Sequence, residues 1–442
     1  MAFSLHGVHV PHRKNTAGMP AVRMDAPGSV TIPTVMHIGK PAIPVVKVGD
    51  PVEVGTLIAE QDGKFSSPIY ASVSGKVSKI GDILLSNGTT VPAITIESDG
   101  EMTVSASVKA PVIESRADLI EAIRMSRIVG LGGAGFPTYI KFDVEDPTKI
   151  GELIINGAEC EPYITSDTRT MIDRAEDIAF ALGAIEKHLG IQKIIIGIES
   201  NKKEAISSMQ KLAEADKHVK VAVLPTLYPQ GGEKVLIYHT VGKTVPAGKL
   251  PLDVGSVVCN CTTIAAIGKY LRTGMPLVEK CITVDGGAVK EPKNVLAPIG
   301  TALADVFAFC GGFTAEPGKV LYGGPMMGIA VPDTAVPVLK NTNAILALSQ
   351  KEAAPKKMTE CLRCGDCARH CPFRLDPCAI AFAYKKQDVE ELERLAVDVC
   401  MECGSCAYNC PAGRPLIENH RLAKALVREA RAKRQAKEAS KS

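Results

Sequence analysis

Two near-identical cysteine runs hold most of the redox chemistry open to this 442-residue chain. Cys361, Cys364, Cys367 and Cys371 are separated by two, two and three residues and followed by Pro372; Cys400, Cys403, Cys406 and Cys410 repeat that spacing before Pro411. Three thiolates so close let one tight loop wrap an iron–sulfur cube, while the fourth, set off by a longer spacer and a proline, swings toward the neighbouring cube. The spacing therefore assigns Cys361, Cys364, Cys367 and Cys410 to one [4Fe-4S] cluster and Cys400, Cys403, Cys406 and Cys371 to a second. Zinc is the competing reading. A structural zinc takes two thiols from each of two separated clips, which four cysteines packed into eleven residues do not supply. Paired clusters move single electrons, so the chain reads as part of an electron-transfer path.

Composition narrows the setting. Eight of the 14 cysteines lie in the two runs, and Cys160, Cys259, Cys261, Cys281, Cys310 and Cys378 are scattered, which calls for a reducing compartment rather than a disulfide framework. A cytosolic location follows. No signal-peptide pattern opens the chain, and no apolar run reaches the roughly 18 residues of a membrane span, so a membrane role must come through partners. With a net charge of +3, no tryptophan and few aromatics, nothing recommends nucleic acid. The tail at 421–442 is helical in pattern and basic (Lys424, Arg428, Arg431, Lys433, Arg434, Lys437, Lys441). It reads as a solvated helix, with an anionic lipid surface or an acidic partner as the alternative.

The length allows three or four domains, each with its own core. Residues 30–100 are rich in Val, Ile, Pro and Gly, with strand-length runs and no helical period, and read as a small β domain. From residue 115 helices and strands alternate. Ser115 and Asp118 form a capping-box signature before an apolar-periodic stretch at 119–128. A glycine cluster at 130–138, a strand at 153–155, a helix at 173–188, a strand at 193–198, a helix at 202–215 and a strand at 219–224 follow, which predicts an α/β layer on a mainly parallel sheet. Residues 280–335 return to short strands and Gly/Pro turns, and a linker with Lys351, Lys356 and Lys357 leads to the cysteine loops and their framing helices. His6, His9 and His12 are irregularly spaced in a polar N-terminal arm and read as surface residues rather than metal ligands.

Gly130, Gly132, Gly133 and Gly135 let the main chain approach a ligand closely and point N–H groups at phosphate. The spacing Gly130, Gly132, Gly135 is that of the dinucleotide fingerprint, but the pattern follows a helix instead of a strand, which is not the fingerprint's setting. On spacing alone, a nucleotide or flavin site and a structural turn both remain open. Asn156, Glu159 and Glu161 directly follow a strand, where α/β sheets bind ligands; with no basic residue nearby in sequence, a solvated acidic loop is the alternative.

Four blocks, 130–138 with Lys141, 156–162 with Asp167, 228–233 and 260–263, stand in the order of the FMN and NADH site of the flavoprotein subunit of respiratory complex I, which they resemble. The resemblance implies that Gly130, Gly132, Gly133, Lys141, Asn156, Glu159, Gly231, Glu233, Asn260 and Thr263 hold FMN, and that Phe136, Glu161 and Tyr228 face the nicotinamide dinucleotide. The chain departs from the complex I pattern at Leu131, Ala158, Gly232 and Cys259. Residues 48–55 and 71–77 resemble the biotinyl/lipoyl barrel-sandwich family. Lys64 lies near the carrier lysine of that family, but the flanking signature is missing, so this reads as a docking or structural domain.

Taken in order, these parts resemble the C subunit of the Rnf electron transport complex over nearly the whole chain. The fold so implied is multidomain α/β plus β: a barrel-sandwich hybrid at 1–105, an α/β FMN/NADH-binding domain at 112–275, a β-grasp domain of the soluble-ligand-binding (SLBB) type at 276–340, a ferredoxin-type helical domain with two [4Fe-4S] clusters at 350–425, and a basic tail at 426–442. The implied activity is that of the NAD(H)-oxidoreductase subunit of a membrane-bound ferredoxin:NAD+ oxidoreductase. It exchanges hydride with NAD(H) at FMN and passes single electrons through the clusters, while partner subunits translocate ions. Membrane subunits and an iron–sulfur, ferredoxin-type subunit are the implied partners, at the cytoplasmic face of a membrane. Two rivals share parts of this chemistry: a soluble cobalamin reductase, which typically lacks the barrel-sandwich, and a relay scaffold that keeps the clusters but binds neither flavin nor dinucleotide.

Overall fold

The computed structural model describes residues 6–86, 88–133 and 135–439. Ala134 of the glycine cluster, Lys441 of the basic tail and residues 1–5 of the predicted N-terminal domain lie outside that set.

Strands Ser29–Pro33, Thr90–Ser98, Gly75–Leu84 and Pro51–Val52 form one antiparallel sheet, and Ile43–Pro44, Leu57–Glu60 and Ile69–Tyr70 form a second. Val30, Ile32, Ile58, Val77, Ile94 and Ile96 are buried together between them, the inward half of alternating strands. This is the expected barrel-sandwich.

The flavin-type domain is built on four strands, all parallel, in the order Val219–Leu224, Ile194–Glu199, Glu152–Gly157, Ser256–Asn260. Both faces are covered by helices, so Leu153, Ile154, Ile155, Ile194, Ile196 and Ile198 run apolar without alternation. The capping box is present: Ser115 and Asp118 satisfy each other's backbone N–H at the start of helix Arg116–Met125. Two helices follow, Ser166–Asp173, which the sequence did not announce, and Ala175–Leu189 at the place expected at 173–188. Thr165 gives the first of these no side-chain cap. Its leading N–H groups are taken by Glu159, a partner with no local sequence signature.

A six-stranded mixed sheet follows, in the order Val22–Arg23, Lys293–Pro298, Glu279–Asp285, Ala344–Leu348, Lys319–Tyr322, Ile329–Val331, with helix Leu303–Phe309 on its core. The edge strand Val22–Arg23 pairs in parallel with Lys293–Pro298. The chain thus enters through this sheet before it builds the barrel-sandwich, and the sheet runs on to Leu348, past residue 340.

Short helices Asp366–Arg369, Pro377–Lys385, Val389–Arg394 and Ser405–Tyr408 and the long helix Leu416–Ala439 make up the last domain. That long helix runs unbroken through residue 426, and its Ala423 and Val427 pack on Ile380, Leu392 and Val397. Four of its cations pair with acids of the same domain at the surface. Lys424 pairs with Glu402 at 2.6 Å and Arg421 with Glu402 at 3.1 Å, while Arg431 and Arg434 pair with Glu393 at 2.8 and 2.5 Å. The tail expected to be a solvated helix is therefore, in its first half, a wall of the cluster domain. Among the described residues no helix is long and apolar enough to cross a membrane.

Lys340 pins three domains at one point. It is 2% exposed, and its Nζ donates to Ser67 Oγ and Pro68 O at 3.2 Å each and to Arg127 O at 3.1 Å. Burial, with the Arg127 charge, pushes its ammonium down from 10.5 to about 7, while burial and Lys340 itself keep the neighbouring His37 neutral. Between those two values the unfolded chain binds a proton that the folded chain does not, so stability from this residue rises with pH across the window and is lost as pH falls toward 7. Lys340→Met is expected to remove that rise: the melting temperature of wild type minus variant should grow from about pH 7 to about pH 10. A difference independent of pH would show that the ammonium stays charged in the fold.

Candidate functional site

The ends of two parallel strands and the starts of two helices stand beside the glycine loop. Gly130 N donates to Phe136 O at 2.8 Å and closes the loop on itself, and Leu131 N donates to Thr263 Oγ1 at 3.0 Å. Asn260 caps helix Cys261–Thr273: its Oδ1 accepts from Thr262 N at 2.9 Å and Thr263 N at 3.3 Å, and its Nδ2 donates to Asp167 Oδ2 at 2.7 Å. Asn260 presses on the loop so closely that a Cβ at Gly132 would lie 2.5 Å from Nδ2, whereas Gly133 has nothing within 4 Å of where a side chain would begin. From strand Glu152–Gly157, Asn156 donates to Gly231 O at 2.9 Å; Lys141 donates to Val258 O at 2.7 Å and lies 3.7 Å from Glu233, the first residue of helix Glu233–Val241. An open glycine backbone, a lysine and a capped helix N-terminus are the donor set a flavin phosphate needs. The residues present fit FMN.

The two glutamates after the strand are not a solvated loop. Glu159 is 5% exposed and accepts from Asp167 N at 2.7 Å, Thr168 Oγ1 at 2.7 Å and Thr168 N at 3.4 Å, which makes it the cap of helix Ser166–Asp173. Burial raises its carboxyl to about 7 against the pull of Lys14. Glu161, expected to face a dinucleotide, instead accepts from Met326 N at 3.0 Å and Met327 N at 2.8 Å in the β-grasp loop, and burial raises it to about 7. Gly324 makes that approach possible, since a Cβ there would lie 2.1 Å from Glu161 Oε2.

Tyr228, also expected at the dinucleotide, is 2% exposed; its hydroxyl donates to the Cys403 carbonyl at 2.6 Å. Phe136 is half-buried and meets Phe65 of the barrel-sandwich edge-on, with ring centroids 6.5 Å apart, while Tyr139 Oη donates to Lys64 O at 2.6 Å. The loop that carries Lys64 therefore leans on the glycine loop. Sequence reading missed Phe65, Lys14 and Gly324 because each partner pair lies far apart along the chain.

The cysteines gather crosswise. Cys361, Cys364, Cys367 and Cys410 line one cleft of about 240 Å³, and Cys371, Cys400, Cys403 and Cys406 line a second, much tighter one. Each set takes three thiols from one run and the fourth from the other. None of the thiols is in a disulfide, and two tetrads of reduced cysteines fit two [4Fe-4S] clusters. Cys378 lies in the wider cleft, its Sγ 3.6 Å from that of Cys361. His420 Nδ1 sits 3.3 Å from Cys400 Sγ.

The loop of the tighter tetrad is seated on the flavin-type domain. Val8, Val10, Tyr228 and Cys403 form one buried apolar cluster with Met326 and Met401 packed against it. A Cβ at Gly232 would lie 2.4 Å from Met401 Cε, and one at Gly404 would lie 3.0 Å from Met326 O. At Gly232, where the chain departs from the complex I pattern, a side chain would have to displace the end of Met401 from the joint.

Four family models match in the order the fold shows: the RnfC barrel-sandwich hybrid domain at 3–101, the Nuo51 FMN-binding domain at 123–269, the SLBB domain at 281–330 and the 4Fe-4S dicluster domain at 355–411. The C subunit of the proton-translocating ferredoxin:NAD+ oxidoreductase complex of Clostridium ljungdahlii is 42% identical, over 87% of this chain and 85% of its own. The C subunit of the Na+-translocating complex of Acetobacterium woodii is 41% identical over 85% and 86%, and that of the ion-translocating oxidoreductase complex of Rhodobacter capsulatus 39% over 97% and 84%. The chain belongs to the RnfC family, the C subunits of Rnf complexes. With an FMN-binding domain and a 4Fe-4S dicluster domain, its cofactors are FMN and two [4Fe-4S] clusters; NAD(H) is the substrate in the family. A chain of an NAD+-reducing [NiFe]-hydrogenase overlays with a TM-score of 0.49 at 19% identity, covering 71% of this chain and 63% of that one.

Tyr228→Phe deletes only the hydroxyl that reaches the Cys403 carbonyl. It is expected to cost about 1 kcal/mol of domain docking, leave both clusters assembled, and lower the fraction of flavin electrons that reach them. Comparing cluster EPR intensity after reduction through flavin and after reduction by dithionite measures that fraction, and an unchanged ratio would remove Tyr228 from the path.

Proposed function

We propose that this chain is the NAD(H)-facing oxidoreductase subunit of a membrane-bound, ion-translocating ferredoxin:NAD+ oxidoreductase. The observation that carries the reading is the seat of the 400–406 loop on Tyr228 and Gly232, which sets one cluster tetrad against the flavin site. The other tetrad, whose Cys364 is exposed, stays open to a partner.

Bound FMN supplies the conversion between two-electron hydride exchange with NAD(H) and the one-electron steps of the clusters. The chain's own residues bind, orient and exclude water. Gly130, Gly132, Gly133, Lys141, Asn156, Gly231, Glu233, Asn260 and Thr263 hold the flavin, and Glu159 holds the helix whose Asp167 fixes Asn260. Phe136, with Phe65 beside it, lines the nicotinamide approach; Glu161 and Tyr228 brace the walls of the site by tying it to the β-grasp loop and the cluster loop. Cys400, Cys403, Cys406 and Cys371 hold the cluster nearer the flavin, and Cys361, Cys364, Cys367 and Cys410 the outer one. No side chain has to act as acid or base for hydride transfer.

Membrane subunits and a ferredoxin-type iron–sulfur protein supply the rest of the path, with this chain peripheral on the cytoplasmic face. Ion movement belongs to those partners. The barrel-sandwich and the family match speak against a soluble cobalamin reductase.

Anaerobic titration of the flavin- and cluster-loaded chain with NADH separates the enzyme from a relay scaffold. Flavin absorbance is expected to bleach and two interacting [4Fe-4S] EPR signals to appear. Clusters that dithionite reduces but NADH does not would overturn the reading.

A further inference from the structure

The first residues of the chain fall within the match to the barrel-sandwich domain, yet their bonds lead elsewhere. Val8 exchanges two backbone hydrogen bonds with Tyr228, at 2.8 and 2.9 Å. His12 O accepts from Tyr163 N at 2.9 Å, Arg13 donates to Tyr163 Oη and Glu352 Oε1 at 2.5 Å each, and Thr16 Oγ1 lies 2.5 Å from Thr165 Oγ1. Between these anchors Lys14 turns inward. Its Nζ donates to Glu159 O at 2.9 Å, to Glu161 O at 2.7 Å and to Ile164 O.

An ammonium has three hydrogens, and here all three go to main-chain carbonyls of one short loop. That loop joins the end of strand Glu152–Gly157 to helix Ser166–Asp173 and carries both buried glutamates. From it a continuous chain of contacts runs to the flavin site: Glu159 caps the helix at Asp167 and Thr168, Asp167 Oδ2 and Oδ1 accept from Asn260 Nδ2 and Thr262 Oγ1 at 2.7 and 2.6 Å, and Asn260 abuts Gly132. Lys14 is also a positive charge set against Glu159, where it outweighs Lys202, and against Glu199, which Lys202 pairs with directly at 3.8 Å. Without it, three buried carbonyls lose their donor and the carboxylates lose an opposing charge in a medium that screens poorly.

We propose that Lys14 is a positioning residue of the flavin site: it fixes the 158–165 loop from below and offsets the negative field of its glutamates, which makes a bound flavin easier to reduce. This rests on the flavin reading above. The N-terminal arm thus belongs in function to the redox site rather than to the domain it precedes.

Two variants in the full chain test it. Lys14→Gln keeps two donors and drops the charge; Lys14→Met drops both. Flavin content, the flavin midpoint potential by dithionite titration with indicator dyes, the cluster EPR signals, and kcat and KM for NADH are read on each. The Gln variant is expected to retain flavin, shift its potential to more negative values, and lower kcat with NADH by ~10-fold with KM changed far less, the scale of one lost charged hydrogen bond. The Met variant is expected to lose flavin while both clusters still assemble. Wild-type potential and kcat in both variants would overturn the proposal, and so would loss of the clusters together with the flavin, which would make Lys14 a general folding residue. The dithionite titration does not involve NADH, so a chain whose flavin titrates but does not respond to NADH would count against the proposed activity and not against Lys14.

Discussion

A flavin and an iron–sulfur cluster carried on different domains exchange electrons only while those domains stay seated, and the seat in this chain is small. One tyrosine hydroxyl reaches the carbonyl of Cys403, and two glycines, Gly232 and Gly404, are bare so that Met401 and Met326 can fill the joint. The rest of the architecture follows from keeping that joint dry and fixed. Val8 and Val10 close it with apolar side chains, and the β-grasp loop is anchored beside it by Glu161. The mixed sheet is in turn tied to the chain's own beginning through Val22–Arg23.

Beneath the flavin site the same economy of partners holds for charge. Glu159, Asp167, Lys14 and Asn260 are buried or nearly so, and each spends its polar atoms on neighbours that would otherwise be unpaired. Buried charges cost several kcal/mol each when solvent is removed without replacement, so such a group persists only as a connected set. One consequence is mechanical. The helix N-terminus at Cys261, the glycine loop and the end of strand Glu152–Gly157 cannot shift independently, because Glu159 and Asp167 tie the strand end to Asn260 and Thr262, and Thr263 and Asn260 hold the glycine loop.

Much of this is legible in the residues themselves. The cysteine spacing implies a crosswise pairing, and the structure brings Cys410 to the first run and Cys371 to the second. The alternating apolar runs locate the parallel sheet, with Val219–Leu224 at its expected bounds, and Ser115 with Asp118 marks a helix start. What escapes has a common cause. Tyr228 turns toward a loop 175 residues away, Glu161 reaches the β-grasp loop, and Lys14 answers an acidic loop that lacks a basic neighbour in sequence. Local pattern carries caps, periods and ligand spacing; it does not carry a contact whose two halves are separated by most of a domain. The basic tail misleads for the same reason, since Glu393 and Glu402, which neutralise it, precede it on other elements.

The proposed path of electrons runs from flavin to the cluster of Cys400, Cys403, Cys406 and Cys371 and then to the outer cluster. The most direct measurement is EPR of the loaded chain in which Cys361→Ala and Cys364→Ala disable the outer cluster. NADH should still reduce the remaining cluster, giving one uncoupled [4Fe-4S] signal as strong as dithionite produces. If dithionite reduces that cluster and NADH no longer does, electrons enter through the outer site, and the proposed order is wrong.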